Sequence, residues 1–273
     1  MPNFLVGAVG VADNGIPYPP LPEGMRKIVE PSFSYMVLGE YPPQSEMQLI
    51  SRAWINAAVE RGKVYRALYG DAPPANVQPL MGVDAAELGA DPNVVCLRYG
   101  DYIAPFITWN GVDSDLTADQ SMDLYVEHDV DIVYVDATGV GSHIAPRISR
   151  MGRDVDRDVR AVAVKVSEKP TIGSETEIGR FYSLRDELWW NVREWLRTSQ
   201  TAMLPDDPML IMDLSTPTYD TVSHKGRIKI SDKKTMRERL KRSPDRADAL
   251  CLTFMPLMRP TIMRLTDYAR VEA

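Results

Sequence analysis

Pro79-Leu-Met-Gly-Val-Asp84-Ala-Ala-Glu-Leu-Gly-Ala-Asp91-Pro-Asn-Val-Val-Cys-Leu-Arg98 is the stretch on which the reading of this chain turns. A short apolar run (Leu80, Met81, Val83) ends in the carboxylate of Asp84. A glycine-containing turn follows, and a second apolar run begins at Val94. The pattern predicts a strand, a tight turn and an antiparallel return strand, both buried. A carboxylate at the end of a buried strand is costly unless it has a partner, and a metal ion is one such partner. Taken alone, Asp84 also reads as a turn or capping aspartate, so the rest of the chain has to decide.

The 273 residues suffice for one large domain or two small ones. With 44% apolar and 25% charged residues, the composition is that of an ordinary soluble globular protein. No apolar run approaches the roughly 18 residues of a membrane span, and the N-terminus lacks the basic region of a signal peptide. Cys96 and Cys251 both fall in apolar runs and read as buried, reduced thiols without zinc spacing. His128, His143 and His224 are scattered, which argues against a histidine metal site. The net charge of −7 speaks against a general nucleic-acid binder. Between residues 225 and 246, however, ten Lys and Arg stand against three acids, so any basic surface is local.

Along the chain, residues 1–76 read as a connector. They hold proline-rich turns and one amphipathic helix, starting near Ser45 and running through Leu49, Ile50, Trp54, Ile55, Ala58 and Val59. No G-x-x-x-x-G-K-[ST] occurs, which excludes a nucleotide-hydrolysing P-loop from this sequence. Residues 77–258 carry a regular α/β pattern. Strands are expected up to Asp84 and over 93–99, 103–109, 131–136, 159–166 and 209–214. Helices are expected over 115–127, through Ile144, Ile148 and Met151, over 179–198 and over 233–241, with a loop over 167–177. A β-hairpin with a basic arm surrounds Ser223-His-Lys-Gly226, and a last helix starts near Ser243-Pro-Asp-Arg246. Residues 259–273 read as a tail.

Two of these strands end in aspartates in the same sense, Asp84 and Asp136. If they are neighbours, their carboxylates meet at one end of the sheet. A third, Asp248, lies in the first turn of an otherwise apolar helix, so it points at something specific. Converging carboxylates with no opposing Arg in the local sequence repel one another. Hard divalent cations relieve that repulsion, and two of them ~3.5–4 Å apart clamp the attacking and leaving oxygens of a phosphodiester displacement.

This order of elements resembles the ribonuclease H-like nucleases, an α/β class with a mixed central sheet flanked by helices. Within that class the chain is similar to the C-terminal nuclease domain of the large terminase subunit of tailed bacteriophages. The matching segments are Met81-Gly-Val-Asp84 with Gly89 and Asp91, Val135-Asp136-Ala-Thr-Gly-Val-Gly141, Glu187-Leu-Trp-Trp190, Leu214-Ser-Thr-Pro-Thr-Tyr219 and Arg242-Ser-Pro-Asp-Arg-Ala-Asp-Ala249. Tyr35-Met-Val-Leu-Gly-Glu-Tyr-Pro42 resembles the segment that joins the ATPase motor to the nuclease.

The resemblance implies an endonuclease that cuts concatemeric double-stranded viral DNA during genome packaging, in the host cytoplasm, with two Mg²⁺ or Mn²⁺ ions. Asp84 would bridge the metals, Asp136 would bind one and Asp248 the other, and Asp91 would be an accessory acid. Asp245 is the near neighbour that could be mistaken for Asp248. Lys225, Arg227, Lys229, Lys233 and Lys234, on a basic hairpin and helix near the active site, suit DNA phosphates. Trp189, Trp190 and Trp195 read as core. The partners implied are duplex DNA, the ATPase motor, the small terminase subunit and the portal protein. Because the family's P-loop is missing, the chain is expected to be either an excised nuclease domain or one part of a split gene product. Other readings are a different ribonuclease H-like enzyme (a Holliday-junction resolvase or transposase-type recombinase), an actin-like ATPase, or a non-catalytic packaging component.

Overall fold

The computed structural model describes residues 48–86, 91–110, 113–139, 141–171, 173–176, 178–222 and 227–256. The expectations for 35–42, for Gly89, for Lys225 and the hairpin tip, and for the tail lie outside these residues.

β1 (Leu80–Asp84) is the central strand. It pairs antiparallel with β2 (Asn93–Tyr99), with Asp84 opposite Val94, and parallel with β5 (Ile132–Asp136), with Val83 beside Val135. β6 (Ala161–Val164) continues the parallel side, while β3 (Tyr102–Ile103) and β4 (Ile107–Trp109) both pair with β2. Alternation then sorts the side chains by face. Met81, Val83, Val133 and Val135 pack with α2 (Ser114–Glu127) and α3 (Gly141–Asp154). Cys96, Ile132 and Tyr134 face the other core, built from α1 (Arg52–Tyr69), α4 (Leu184–Thr198), α5 (Pro208–Ser215) and α7 (Asp245–Leu252). Leu49, Ile50, Trp54, Ile55, Ala58 and Val59, read in sequence as part of a connector, belong to that second core. No helix among the described residues is long and apolar enough to cross a membrane.

A smaller sheet follows the order β7-β8-β10-β9, from β7 (Glu175–Thr176), β8 (Gly179–Phe181), β9 (Tyr219–Val222) and β10 (Arg227–Ile230). Phe181, Ile228 and Ile230 are buried. Trp190 meets Tyr219 edge-on, with ring centroids 5.4 Å apart. Gln48 bridges to Thr218 at the start of β9, and Thr218 exchanges hydrogen bonds with Ser231, just after β10. Asp232 then caps α6 (Lys233–Leu240).

Several segments differ from the sequence reading: the helix expected from near Ser45 starts at Arg52, where the Ser51 side chain caps it, β7 falls in the expected loop 167–177, and three more differ for local reasons. Residues 209–214, expected as a strand, lie in helix α5. A six-residue apolar run is ambiguous by periodicity, and the Asp207-Pro208 pair decides it: Asp207 Oδ1 accepts from Met209 N (2.8 Å) and Leu210 N (3.2 Å), with Pro208 at the first helical position. The long helix starts at Leu184 and not at 179, because Ser183 and Asp186 form a capping box and residues 179–181 pair beside β10. The expected strand 103–109 is two strands, divided by residues 104–106, where Pro105 has no N–H to give a ladder.

One glycine controls the interior. A Cβ on Gly82 would lie 2.0 Å from Ala249 O and 3.1 Å from Thr253 Cγ2, so the α7 backbone rests directly on β1. Arg98 on β2 secures the far end of that helix. Its Nη2 donates to Thr253 O (2.6 Å), and its guanidinium stacks on Phe254, 4.3 Å from the ring centroid.

Gly82→Ala is expected to push α7 off the sheet at a cost of about 3 kcal/mol. The thermal midpoint, followed by circular dichroism, should fall by roughly 6–12 °C. An unchanged midpoint would contradict this packing.

Candidate active site

Asp84 and Asp136 end adjacent parallel strands in matched register, so their carboxylates emerge side by side. The close seat of α7 on Gly82 brings in the first turn of that helix, with Asp245 and Asp248 on one face at a spacing of three. All four carboxylates are buried. The turn after β5 folds tightly behind Asp136: a Cβ on Gly141 would meet Asp136 O at 1.8 Å, which only glycine permits.

Two of the acids are each held by one oxygen. Asp136 Oδ1 accepts from Thr138 N (2.9 Å) and Thr138 Oγ1 (2.7 Å). Asp248 Oδ1 accepts from the indole N–H of Trp189 on α4 (3.2 Å). Their other oxygens share one cation: Lys233 Nζ is 3.0 Å from Asp248 Oδ2 and 3.9 Å from Asp136 Oδ2. Lys233 is placed there by its helix. Asp232 caps α6, accepting from Thr235 N (2.8 Å), and makes Lys233 the first helical residue. Asp248, and after it Asp84 and Asp136, hold the ammonium well above its ordinary value against the opposing effect of burial.

Asp84 takes no hydrogen bond from a described residue. Burial pushes its carboxyl well above the usual range; Lys233 opposes this, and Asp248, Asp245 and Asp136 add to it. Burial likewise raises Asp245, against the pull of the Ser243 hydroxyl and with a contribution from Asp91. Asp91 itself is half-exposed and pairs with Arg237 Nη2 on α6 at 2.8 Å. Beneath α7, Asp213 on α5 is fully buried beside Arg242, and burial pushes it up to about 7. A small cavity behind the acids is lined by Asp136, Lys233, Asp248, Arg185, Trp189 and Cys251.

As these side chains stand, no three carboxylate, imidazole or thiol groups among the described residues close on a common cation point. The ammonium of Lys233 takes that place. The donor set still fits a hard cation. Asp248 Oδ2 is buried, with Lys233 Nζ at 3.0 Å as its ion-pair partner. Asp84 is the unbonded carboxylate beside it.

The structure thus gathers Asp84, Asp136 and Asp248, and adds Asp245. It leaves Asp91 at the margin on Arg237. Of the basic residues, Lys233 lies among the acids. Arg227 and Lys229 are exposed on the outer face of the smaller sheet, and Lys234 is exposed on α6. Lys229 Nζ stands 5.3 Å over the Tyr182 ring. Sequence reasoning missed Thr138 and the Trp189 contact. Trp189 is core, as read, and also a ligand of Asp248; nothing in helical spacing marks which buried indole finds a carboxylate. For Lys233 a signal existed in its position directly after the capping Asp232.

No protein-family model matches the sequence, and no curated protein matches it. Solved structures do. The nuclease domain of the large terminase subunit gp2 of bacterial virus Sf6 superposes with a TM-score of 0.63 at 20% identity, over 76% of this chain and 98% of that domain. A lysine-to-alanine variant of that domain with manganese and β-thujaplicinol gives 0.62 at 20% identity, over 76% and 98%. The large terminase nuclease of thermophilic phage G20c gives 0.46 at 16% identity, over 67% of this chain and 83% of that one. The chain therefore has the fold of the Sf6 domain, a mixed six-stranded sheet flanked by helices.

The buried acids set a pH response. Asp84, Asp245 and Asp213 all bind protons more tightly folded than unfolded. Their combined effect is that stability rises as pH falls toward the ordinary carboxylate range. Lys233 contributes fully everywhere below its ordinary value of 10.5, so it does not vary between pH 8 and 5. Asp101 and Asp232 are lowered, and their contribution is lost only near and below the ordinary 3.8. In EDTA, the urea midpoint should therefore increase from about pH 8 to pH 5. Saturating Mg²⁺ should raise it most at the alkaline end and flatten the trend. A midpoint that fell toward pH 5 would refute this account of the acids.

Proposed function

We propose that this chain is a Mg²⁺- or Mn²⁺-dependent endonuclease that cuts concatemeric double-stranded viral DNA during genome packaging, the nuclease part of a terminase large subunit. One observation carries the reading. Acids from β1, β5 and α7 meet at one buried centre, within a fold shared with a domain named as a terminase nuclease. Lysine-to-alanine variants of that domain are described with manganese and with calcium, and the donor set here suits the same class of ion.

In this reading Asp84, Asp136 and Asp248 would hold the divalent ions, with Asp91 as an accessory acid. When bound, such ions supply charge neutralisation for the attacking and leaving oxygens of the phosphodiester. The protein's own groups do the positioning. Thr138 fixes one oxygen of Asp136 and Trp189 one oxygen of Asp248, which leaves the second oxygen of each directed at the centre. Lys233 neutralises the acids and keeps them assembled without metal. The tethered ammonium also stands within reach of a phosphate bound at the acids. Arg227, Lys229 and Lys234, with Lys225 outside the described residues, contact the DNA backbone. The ATPase motor, small terminase subunit and portal are the partners, and the host cytoplasm is the place of action.

Asp84→Ala, Asp136→Ala and Asp248→Asn should each reduce Mn²⁺-dependent plasmid nicking to background while the circular dichroism spectrum stays native. Wild-type rates in any of the three would remove that residue from the mechanism. Supercoiled plasmid and linear duplex should both be cut, and a preference for four-way junctions would move the assignment to a resolvase. Saturable ATP binding would move it to an actin-like ATPase. Replacing Arg227 and Lys229 with Gln should weaken duplex binding for all sequences and reduce the slope of log K against log salt by about one per residue. An unchanged slope would take both residues off the DNA path.

A further inference from the structure

The helix that carries Asp245 and Asp248 begins without a cap of its own. Its N-cap position is Pro244, which makes no side-chain hydrogen bond. A helix start leaves backbone N–H groups without intrahelical partners, and an anion is the natural complement. A buried carboxylate on a different helix holds the residues around this start. Asp213 on α5 has no exposed surface, and its Oδ1 is 2.6 Å from Arg242 Nη2, just before α7. Arg242 is itself fixed, donating to Ser243 O (2.8 Å) and Met209 O (3.0 Å). A second aspartate of α5 completes the arrangement: Asp207 caps α5 with Oδ1 and accepts from Arg246 Nε with Oδ2 at 2.6 Å. Both arginines that flank Asp245 are thus bound to acids of α5. A fully buried carboxylate is expensive to keep in a core, and α5 otherwise presents Leu210, Ile211 and Leu214 to that core.

We propose that Asp213 is a positioning residue of the cleavage centre: it takes no part in chemistry, but holds the first turn of α7 so that Asp245 and Asp248 face Asp84 and Asp136. The inference rests on the nuclease reading above for what the centre does, but its geometry is independent of that reading.

Trp189 provides the readout, because its indole N–H is bound to Asp248. The chain has five tryptophans, so ¹⁵N-indole spectra of the full chain are simple, and Trp189→Phe assigns the signal. In Asp213→Asn, which keeps the shape and removes the charge, the metal-free Trp189 signal should move while those of Trp54, Trp109, Trp190 and Trp195 stay in place. In a Mg²⁺ titration its midpoint should rise about tenfold or more, the size of effect seen when a group supporting metal ligands is lost. Saturating Mg²⁺ should restore plasmid nicking. A Trp189 signal and midpoint identical to wild type would overturn the proposal. So would collapse of all five signals in both Asp213→Asn and Asp213→Glu, because the carboxylate would then serve the fold as a whole. If wild-type Trp189 ignores Mg²⁺, the metal reading fails, and the metal-free shift in Asp213→Asn still decides the role of Asp213.

Discussion

The contact between Gly82 and the carbonyl of Ala249 is the constraint from which the rest follows. A helix normally stands off a sheet by the thickness of its side chains. Here the α7 backbone touches the β1 backbone, because position 82 has no Cβ. That approach puts the first turn of α7 at the end of β1, where Asp84 emerges. Arg98 secures the other end of the helix through Thr253 and Phe254. The apolar sides of the helix (Ala247, Leu250, Cys251, Leu252) then fill the space toward α4 and α5.

The cluster is electrostatically unfavourable on its own terms. Four buried acids at one centre disfavour ionisation, as the raised Asp84 and Asp245 register. The structure offsets this with one ammonium delivered on a short helix, and with neutral donors from Thr138 and Trp189 that fix orientation without adding charge. Such a centre is held in shape and left under-neutralised, which is the condition for binding further positive charge.

Much of this was legible in the sequence. The ends of β1 and β5 were readable because buried strands give continuous apolar runs, and an aspartate closing such a run stands out. Asp248 stood out for the same reason, as an acid in a helix apolar on nearly all sides. The antiparallel return to β2 and the β9–β10 pairing were also readable. What escaped depended on distant contacts. The run over 209–214 gave no period, and its helical fate lay in Asp207-Pro208. Read as a strand, that run gives no sign of the relation of Asp213 to α7. Lys233 sits in a basic stretch where its neighbours Lys234, Arg237, Arg239 and Lys241 are exposed, and only the third dimension separates it from them. Likewise, no pattern announces that Trp189, and not Trp190, meets Asp248.

The wide sequence spacing of α7 and the strands it covers has a kinetic consequence. Arg98 and Thr253 are 155 residues apart, yet their pairing accompanies the docking of α7 on β1 and β2. Until α7 arrives, one face of the central strands is uncovered and the acid set lacks Asp248. Closing the core and completing the acid cluster are therefore the same event, and contacts of such long range belong to slow-folding topologies. A chain stopped short of α7, or one with that helix undocked, has an exposed apolar sheet and an incomplete set of acids together. The integrity of the acid cluster is in this way tied to that of the whole domain.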